Sequence, residues 1–151
     1  MKLLRNTVLP AILLCTSPAL WAKTCAVTIS ANDQMKFDQD TIKIAAECTH
    51  VNLTLTHTGK RSARVMGHNW VLTKTTDMQA VALAGLHATL ADNYVPKADP
   101  RVIAHTAIIG GSERTSITFP TNTLSKNVSY TFFCSFPGHW ALMKGTLSFG
   151  G

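Results

Sequence analysis

From about residue 26 onward the chain mostly alternates apolar and polar side chains. Ala26-Val27-Thr28-Ile29 and Thr41-Ile42-Lys43-Ile44 alternate with the period of a half-buried strand. Val51 to His57 is the clearest case. Val51, Leu53 and Leu55 share one face, and period two puts His57 on that face too. Further strand candidates are 65–72, 102–109, 114–119, 128–134 and 145–149, with Gly59 and Gly110-Gly111 as stops between them. About eight short strands separated by turn signals predict an all-β sandwich or Greek-key barrel.

One stretch departs from this pattern. Met78, Ala82, Leu86 and Leu90 recur every fourth residue with Val81 beside them, and Asp77 stands where a helix cap would. This predicts a single amphipathic helix over about 77–90, inserted between strands and packed on the sandwich. The chain then returns to the sheet through a loop, 92–100, that holds Pro96 and Pro100. No internal repeat, linker or low-complexity tract interrupts the rest.

The first residues follow a different rule. A basic start (Lys2, Arg5), a short apolar centre and the run Ser17-Pro18-Ala19-Leu20-Trp21-Ala22 read as a secretory signal peptide over 1–22, leaving a single domain at 23–151. The apolar run is too short to span a bilayer. Cys15 leaves with it; bulky Leu14 just before Cys15 weighs against a lipid anchor there. Loss of Lys2 and Arg5 takes the 14 basic residues to 12 against 8 acidic ones, a net charge near +4. Lys60, Arg61 and Arg64 form the only local basic cluster. It lacks the density and interleaved aromatics of a nucleic-acid surface, so no nucleic-acid partner and no stable membrane association are expected.

Three cysteines then remain, and export to an oxidising compartment favours pairing two. Cys25 and Cys48 lie in neighbouring predicted strands, whereas Cys134 opens a stretch rich in metal donors. The economical assignment is a Cys25–Cys48 disulfide and a spare thiolate at Cys134. The stretch Cys134-Ser135-Phe136-Pro137-Gly138-His139-Trp140-Ala141-Leu142-Met143 holds a thiol, an imidazole and a thioether around a turn at Pro137-Gly138. One soft anionic donor, one nitrogen and one weak sulfur suit a copper ion that cycles between Cu(I) and Cu(II). A second histidine has to come from elsewhere.

Met66-Gly67-His68-Asn69-Trp70, combined with Cys134-x4-His139-x3-Met143, resembles the azurin family of small blue-copper proteins, in the cupredoxin class. The resemblance covers nearly all of 23–151. It includes the Cys25/Cys48 pair, the turn Asn32-Asp33-Gln34-Met35, the inserted helix, Arg101 to Thr106 and the closing Met143 to Leu147. It implies a cupredoxin-like Greek-key β-sandwich holding one type 1 copper. His68, Cys134 and His139 would be the trigonal ligands, with Met143 as a long axial ligand and the Gly67 carbonyl weakly opposite. Backbone N–H groups of Asn69 and Phe136 would donate to the thiolate, and the Asn69 side chain would brace the loop. His57 matches a buried, non-ligating histidine, and Trp70 would fill the core.

Taken singly, Cys134 reads as a buried apolar cysteine, Met143 as core filler and His68 as a structural histidine. The combination in register carries the metal reading. A copper enclosed by four or five protein donors leaves no open position for substrate. The implied function is therefore outer-sphere electron transfer by a periplasmic carrier, not an enzyme. Its transient partners would be c-type cytochromes or copper reductases. The electron would leave at His139 through an apolar patch of Met66, Leu86, Phe136, Pro137, Gly138 and Trp140. Trp140 departs from the family, which commonly has a small residue there; it could enlarge the patch or fold back over it. The alternatives are a copper carrier or storage protein, and a thiol enzyme with Cys134 activated by His139.

Overall fold

The computed structural model describes residues 22–151, so the expected signal peptide at 1–22 lies, apart from Ala22, outside the described residues. Among the described residues nine strands form two sheets. In chain order they are β1 (Thr24–Asn32), β2 (Lys36–Phe37), β3 (Thr41–Ile44), β4 (His50–His57), β5 (Val71–Lys74), β6 (Val102–His105), β7 (Arg114–Pro120), β8 (Tyr130–Phe133) and β9 (Lys144–Phe149). One sheet has the order β2-β1-β4-β7 and the other β3-β9-β8-β5-β6. The β1/β4 and β3/β9 pairs are parallel and the remaining pairs antiparallel.

The alternation in β4 does what its period dictates. Val51, Leu53, Leu55 and His57 are buried and the residues between them are half-buried. Register carries the pattern sideways, with Leu53 beside Val27 on β1 and Ile117 on β7. The inner faces of the two sheets meet in one core that includes Ile29, Leu53, Leu55, Phe119, Leu72, Phe132 and Leu147. Trp70, fully buried, lies between the sheets, its ring 6.0 Å from Phe119 and 5.9 Å from Phe132.

Strands β5 and β8 break the alternation for a physical reason. Every residue of Tyr130–Phe133 is buried because both faces of that strand are covered. Tyr130 and Phe132 face the sandwich core, while Phe133 and Val71 face a second cluster with Val81, Ala82 and Val95. Val81 and Ala82 belong to the helix α2 (Met78–Gly85), which roofs the outer face of the five-stranded sheet.

The helix is shorter than the expected 77–90. After Gly85, a weak helix former, the chain tightens into three-residue turns, with Leu86, His87 and Ala88 donating to Leu83, Ala84 and Gly85. Thr89 is extended and starts a separate 3-10 turn at Leu90–Asp92, where Thr89 and Asp92 cap each other. The Asp77 side chain caps nothing. Leu86 is 46% exposed, so the apolar stripe contributes Met78, Val81 and Ala82 to the roof but not Leu86.

Three strand expectations also shorten, 128–134 to Tyr130–Phe133 among them. Of 65–72, Val65 and Met66 lie in a helical turn, α1 (Ala63–Met66), and only Val71 and Leu72 lie in a strand. Of 102–109, the strand keeps Val102–His105; Ile109 rejoins the sheet edge through one bridge to His68. The two-residue β2, beyond the turn at Asn32–Met35, was too short to leave a periodic signal. No helix among the described residues is long and apolar enough to cross a membrane.

Cys25 and Cys48 are joined at the end of the sandwich where β1 begins, their Cα atoms 5.7 Å apart. The bridge closes a loop of 23 residues, worth about 3 kcal/mol on the chain-entropy model. Replacing both cysteines by serine should lower stability by about that amount in a denaturant titration. Metal affinity should stay unchanged, because the bridge and Cys134 lie at opposite ends of the sandwich.

Candidate metal centre

Strand β8 delivers Cys134 one residue past its end, and β9 starts one residue after Met143. The intervening loop is closed by its own backbone. Cys134 N–H donates to the Met143 carbonyl at 3.0 Å, His139 N–H to Phe136 at 2.9 Å and Met143 N–H to His139 at 2.8 Å. Gly138 takes a positive φ of 85° at the tip, where a side chain would be strained. The loop therefore starts and ends on one backbone hydrogen bond, with the His139 side chain turned inward.

His68 arrives by a different route. It follows the α1 turn and is held by a pair of bonds with Ile109, N–H to carbonyl at 3.0 and 2.9 Å. A Cβ at the preceding Gly67 would run into the Ala63 carbonyl oxygen and the Ile108 side chain, so this close passage requires glycine. The His68 Nε2–H donates to the Asn32 carbonyl at 2.8 Å, which leaves the lone pair on Nδ1. That nitrogen lies 3.7 Å from Cys134 Sγ; His139 Nδ1 lies 3.6 Å from the same sulfur, and the Gly67 carbonyl oxygen 4.0 Å. The three donor atoms lie within 4.8 Å of one another.

These spacings fit one ion. A thiolate and an imidazole nitrogen, each roughly 2.0–2.3 Å from a shared metal in a trigonal plane, sit about 3.7 Å apart. The donor set of two nitrogens and a thiolate is that of blue-copper sites. Cys134 and His68 are fully buried and His139 is 4% exposed. Met143, 1% exposed, shares the core cluster with Cys134.

Burial sets the protonation of the site. It pushes the Cys134 thiol up to about 12, against the backbone N–H groups of Asn69 and Phe136, which favour the thiolate. It also pushes both imidazoles down to about 4; at His68 the Asn32 hydrogen bond opposes the shift and the neighbouring histidines add to it. Near neutral pH the metal-free protein thus holds one thiol proton among three buried donors. A cation that displaces this proton satisfies all three, and the N–H groups already point at the sulfur.

The supports around the cage are polar and reach across the fold. Asn69 accepts from the Ser135 N–H at 2.8 Å through Oδ1 and donates through Nδ2 to Ser135 Oγ and the Asn93 carbonyl, both at 2.8 Å. Asn93, in the left-handed region, accepts the Ile108 N–H at 2.8 Å through Oδ1. One asparagine therefore ties the loop after Cys134 to the loop before β6. Sequence reasoning anticipated Asn69 as the brace and missed Ser135, Asn93 and the Asn32 carbonyl. His57 stacks on His68 with ring centres 4.6 Å apart, its Nε2–H donating to Met66 and its Nδ1 accepting from Gly59 N–H. Both ring nitrogens of His57 are thus engaged away from the cage.

The residues expected around His139 differ in exposure. Leu86 (46%), Pro137 and Gly138 are exposed, while Met66 and Phe136 are half-buried. Phe136 packs between His139 and Tyr94, with ring centres 4.6 and 5.4 Å away. Leu142 (71%), Val65 (57%) and Leu83 (46%) are further exposed apolar residues, outside the set expected from the sequence. Trp140 is half-buried and turns away from this surface into the α2 cluster.

In the metal-free protein, His68 and His139 titrate near 4 when folded and near 6.5 when unfolded. Between those values the unfolded chain binds more protons, so stability falls as pH falls from about 6.5 to 4. The thermal midpoint of the metal-free protein should drop across that window. A midpoint that stays flat would contradict the buried neutral imidazoles.

Comparison with known proteins agrees with this geometry. A family model described as copper binding proteins, plastocyanin/azurin family, matches residues 23–150. The azurin of Bordetella pertussis (strain Tohama I) is 50% identical over 137 residues, covering 91% of this chain and 91% of the relative. Azurin-1 of Alcaligenes xylosoxydans xylosoxydans is 51% identical over 123 residues, 82% of this chain and 95% of that protein. Among solved structures, the azurin Az-iso2 of the obligate methylotroph Methylomonas sp. strain J superposes with a TM-score of 0.81 at 43% identity, covering 83% of this chain and 97% of that one. Over its described length, the chain belongs to the plastocyanin/azurin family of copper binding proteins.

Proposed function

We propose that the protein is a single-electron carrier of the blue-copper type, exported to the periplasm, that exchanges electrons with redox proteins such as c-type cytochromes or copper reductases. The observation that carries this reading is the buried His68–Cys134–His139 triangle, with sulfur-to-nitrogen distances of 3.7 and 3.6 Å. His68, Cys134 and His139 would hold the ion, with Met143 and the Gly67 carbonyl as further, weaker donors. When bound, copper supplies one-electron Cu(II)/Cu(I) chemistry at this donor set.

The protein's part is to keep its donors still. Asn32 fixes the ring and tautomer of His68, Asn69 and Ser135 fix the start of the loop, and the Cys134–Met143 backbone bond fixes its end. The N–H groups of Asn69 and Phe136 stabilise negative charge on sulfur and so set how strongly the thiolate donates. Burial excludes water from the donors. A surface groove of about 480 Å³ lined by Asp40, Thr41, Met78 and Lys144 does not include them.

This arrangement supports a carrier of electrons over an enzyme or a carrier of metal. An enzyme would need an open position beside the ion, and a metal carrier would need exposed, exchangeable donors. Here the donors come from two separate loops and are closed over. His139 is the ligand nearest solvent, and of the residues proposed to form the patch around it Leu86, Pro137 and Gly138 are exposed. A small apolar patch suits the brief, low-area encounters of redox partners.

The copper-loaded protein should be intensely blue from thiolate-to-Cu(II) charge transfer, and Cys134→Ser should abolish the band. Copper binding without that band would refute the reading. In His139→Gly, added imidazole should restore the band, whereas His68→Gly should resist rescue; equal rescue would remove His139 as the outward ligand. Leu142→Glu should slow electron exchange with a c-type cytochrome at least about fivefold while leaving the spectrum in place.

A further inference from the structure

His139 and Trp140 are neighbours in one turn but carry their side chains into different surroundings. His139 Nδ1 faces Cys134 Sγ at 3.6 Å. Trp140 packs on the outer face of the five-stranded sheet, against the cluster of Val71, Val81, Ala82, Val95 and Phe133 beneath α2. The turn between them is stiff, because the His139 carbonyl accepts both Leu142 N–H and Met143 N–H. The tip at Gly138 has nothing within 4 Å of where a Cβ would stand, so the turn touches little beyond its own ends there.

We propose, on the reading of this loop as the metal loop, that Trp140 is its positioning residue and acts as a latch on metal exchange. For a metal to leave past His139, the outermost ligand, the 136–143 turn has to swing outward. The indole, held in a close-packed cluster, opposes that swing. Withdrawing it uncovers the cluster of Val71, Val81, Ala82, Val95 and Phe133, so the open loop stays a minor state. Leu142, in the same turn but 71% exposed, has no such anchor. The latch thus lies in residue 140 and the roof helix, outside the ligand set. The same contact makes α2 and the metal loop one mechanical unit.

The test is a chelator challenge at 25 °C, following the loss of Cu(II) to excess EDTA by decay of the charge-transfer band. Trp140→Ser should bind copper with the band present and lose it at least about tenfold faster than the parent. Trp140→Phe, which refills part of the cluster, should stay within about threefold, and Leu142→Ser should match the parent. Loss from Trp140→Ser at the parental rate overturns the latch, and so does equal acceleration by Leu142→Ser. Should Trp140→Ser fail to hold copper, Val81→Ala decides, because it loosens the cluster that Trp140 packs against without altering the loop. Faster loss supports the latch and an unchanged rate overturns it. The same assay with Zn(II) and a colorimetric chelator tests the latch even if the charge-transfer band never forms, which separates its failure from that of the electron-carrier reading.

Discussion

The rest of the structure depends on the desolvation of three donors that face one another. A thiol and two imidazoles, each at most 4% exposed, meet at sulfur-to-nitrogen distances of 3.6 and 3.7 Å. In water each would find its own hydrogen bonds. Buried together, they are short of protons and turned toward a single point. The fold bears this cost through contacts elsewhere, and a soft cation relieves it. Burial also makes the site rigid, because a ligand that moved would expose a polar atom to an apolar wall.

The sandwich supplies that wall and holds the donors from several directions. Strand β8 fixes Cys134, the Ile109 bridge fixes His68, and the turn after Phe136 fixes His139. Asn69, Ser135 and Asn93 cross-link the loops that carry them. The helix α2 has a second part in this scheme. By roofing the outer face of the five-stranded sheet, it gives the metal loop a place to anchor through Trp140. An insertion that at first looks decorative thereby becomes a support of the site.

The parts of this legible in the sequence were those with a local signal. Period two in Val51–His57 gave both the strand and the inward face of His57. The resemblance carried by Cys134-x4-His139-x3-Met143 and Gly67-His68-Asn69-Trp70 pointed to His68, Cys134 and His139, whose donor atoms the fold brings within 4.8 Å of one another. What stayed hidden depends on distant backbone. No residue pattern marks the Asn32 carbonyl as the acceptor that sets the His68 tautomer. Asn93 becomes a partner of Asn69 only through its left-handed conformation. The helix was overcounted because Leu86 and Leu90 keep the stripe in register while Gly85 and the Thr89–Asp92 cap end it. The direction of Trp140 was open because a tryptophan suits either an exposed patch or a packed roof.

The central claim is that the protein holds one donor set unchanged while copper changes oxidation state. X-ray absorption of the copper-loaded protein, oxidised and then reduced in the same sample, tests it most directly. The account predicts one sulfur and two nitrogen neighbours at short range in both states, with only small changes in their distances. Loss of an imidazole on reduction, or an added oxygen neighbour in the oxidised state, would contradict it.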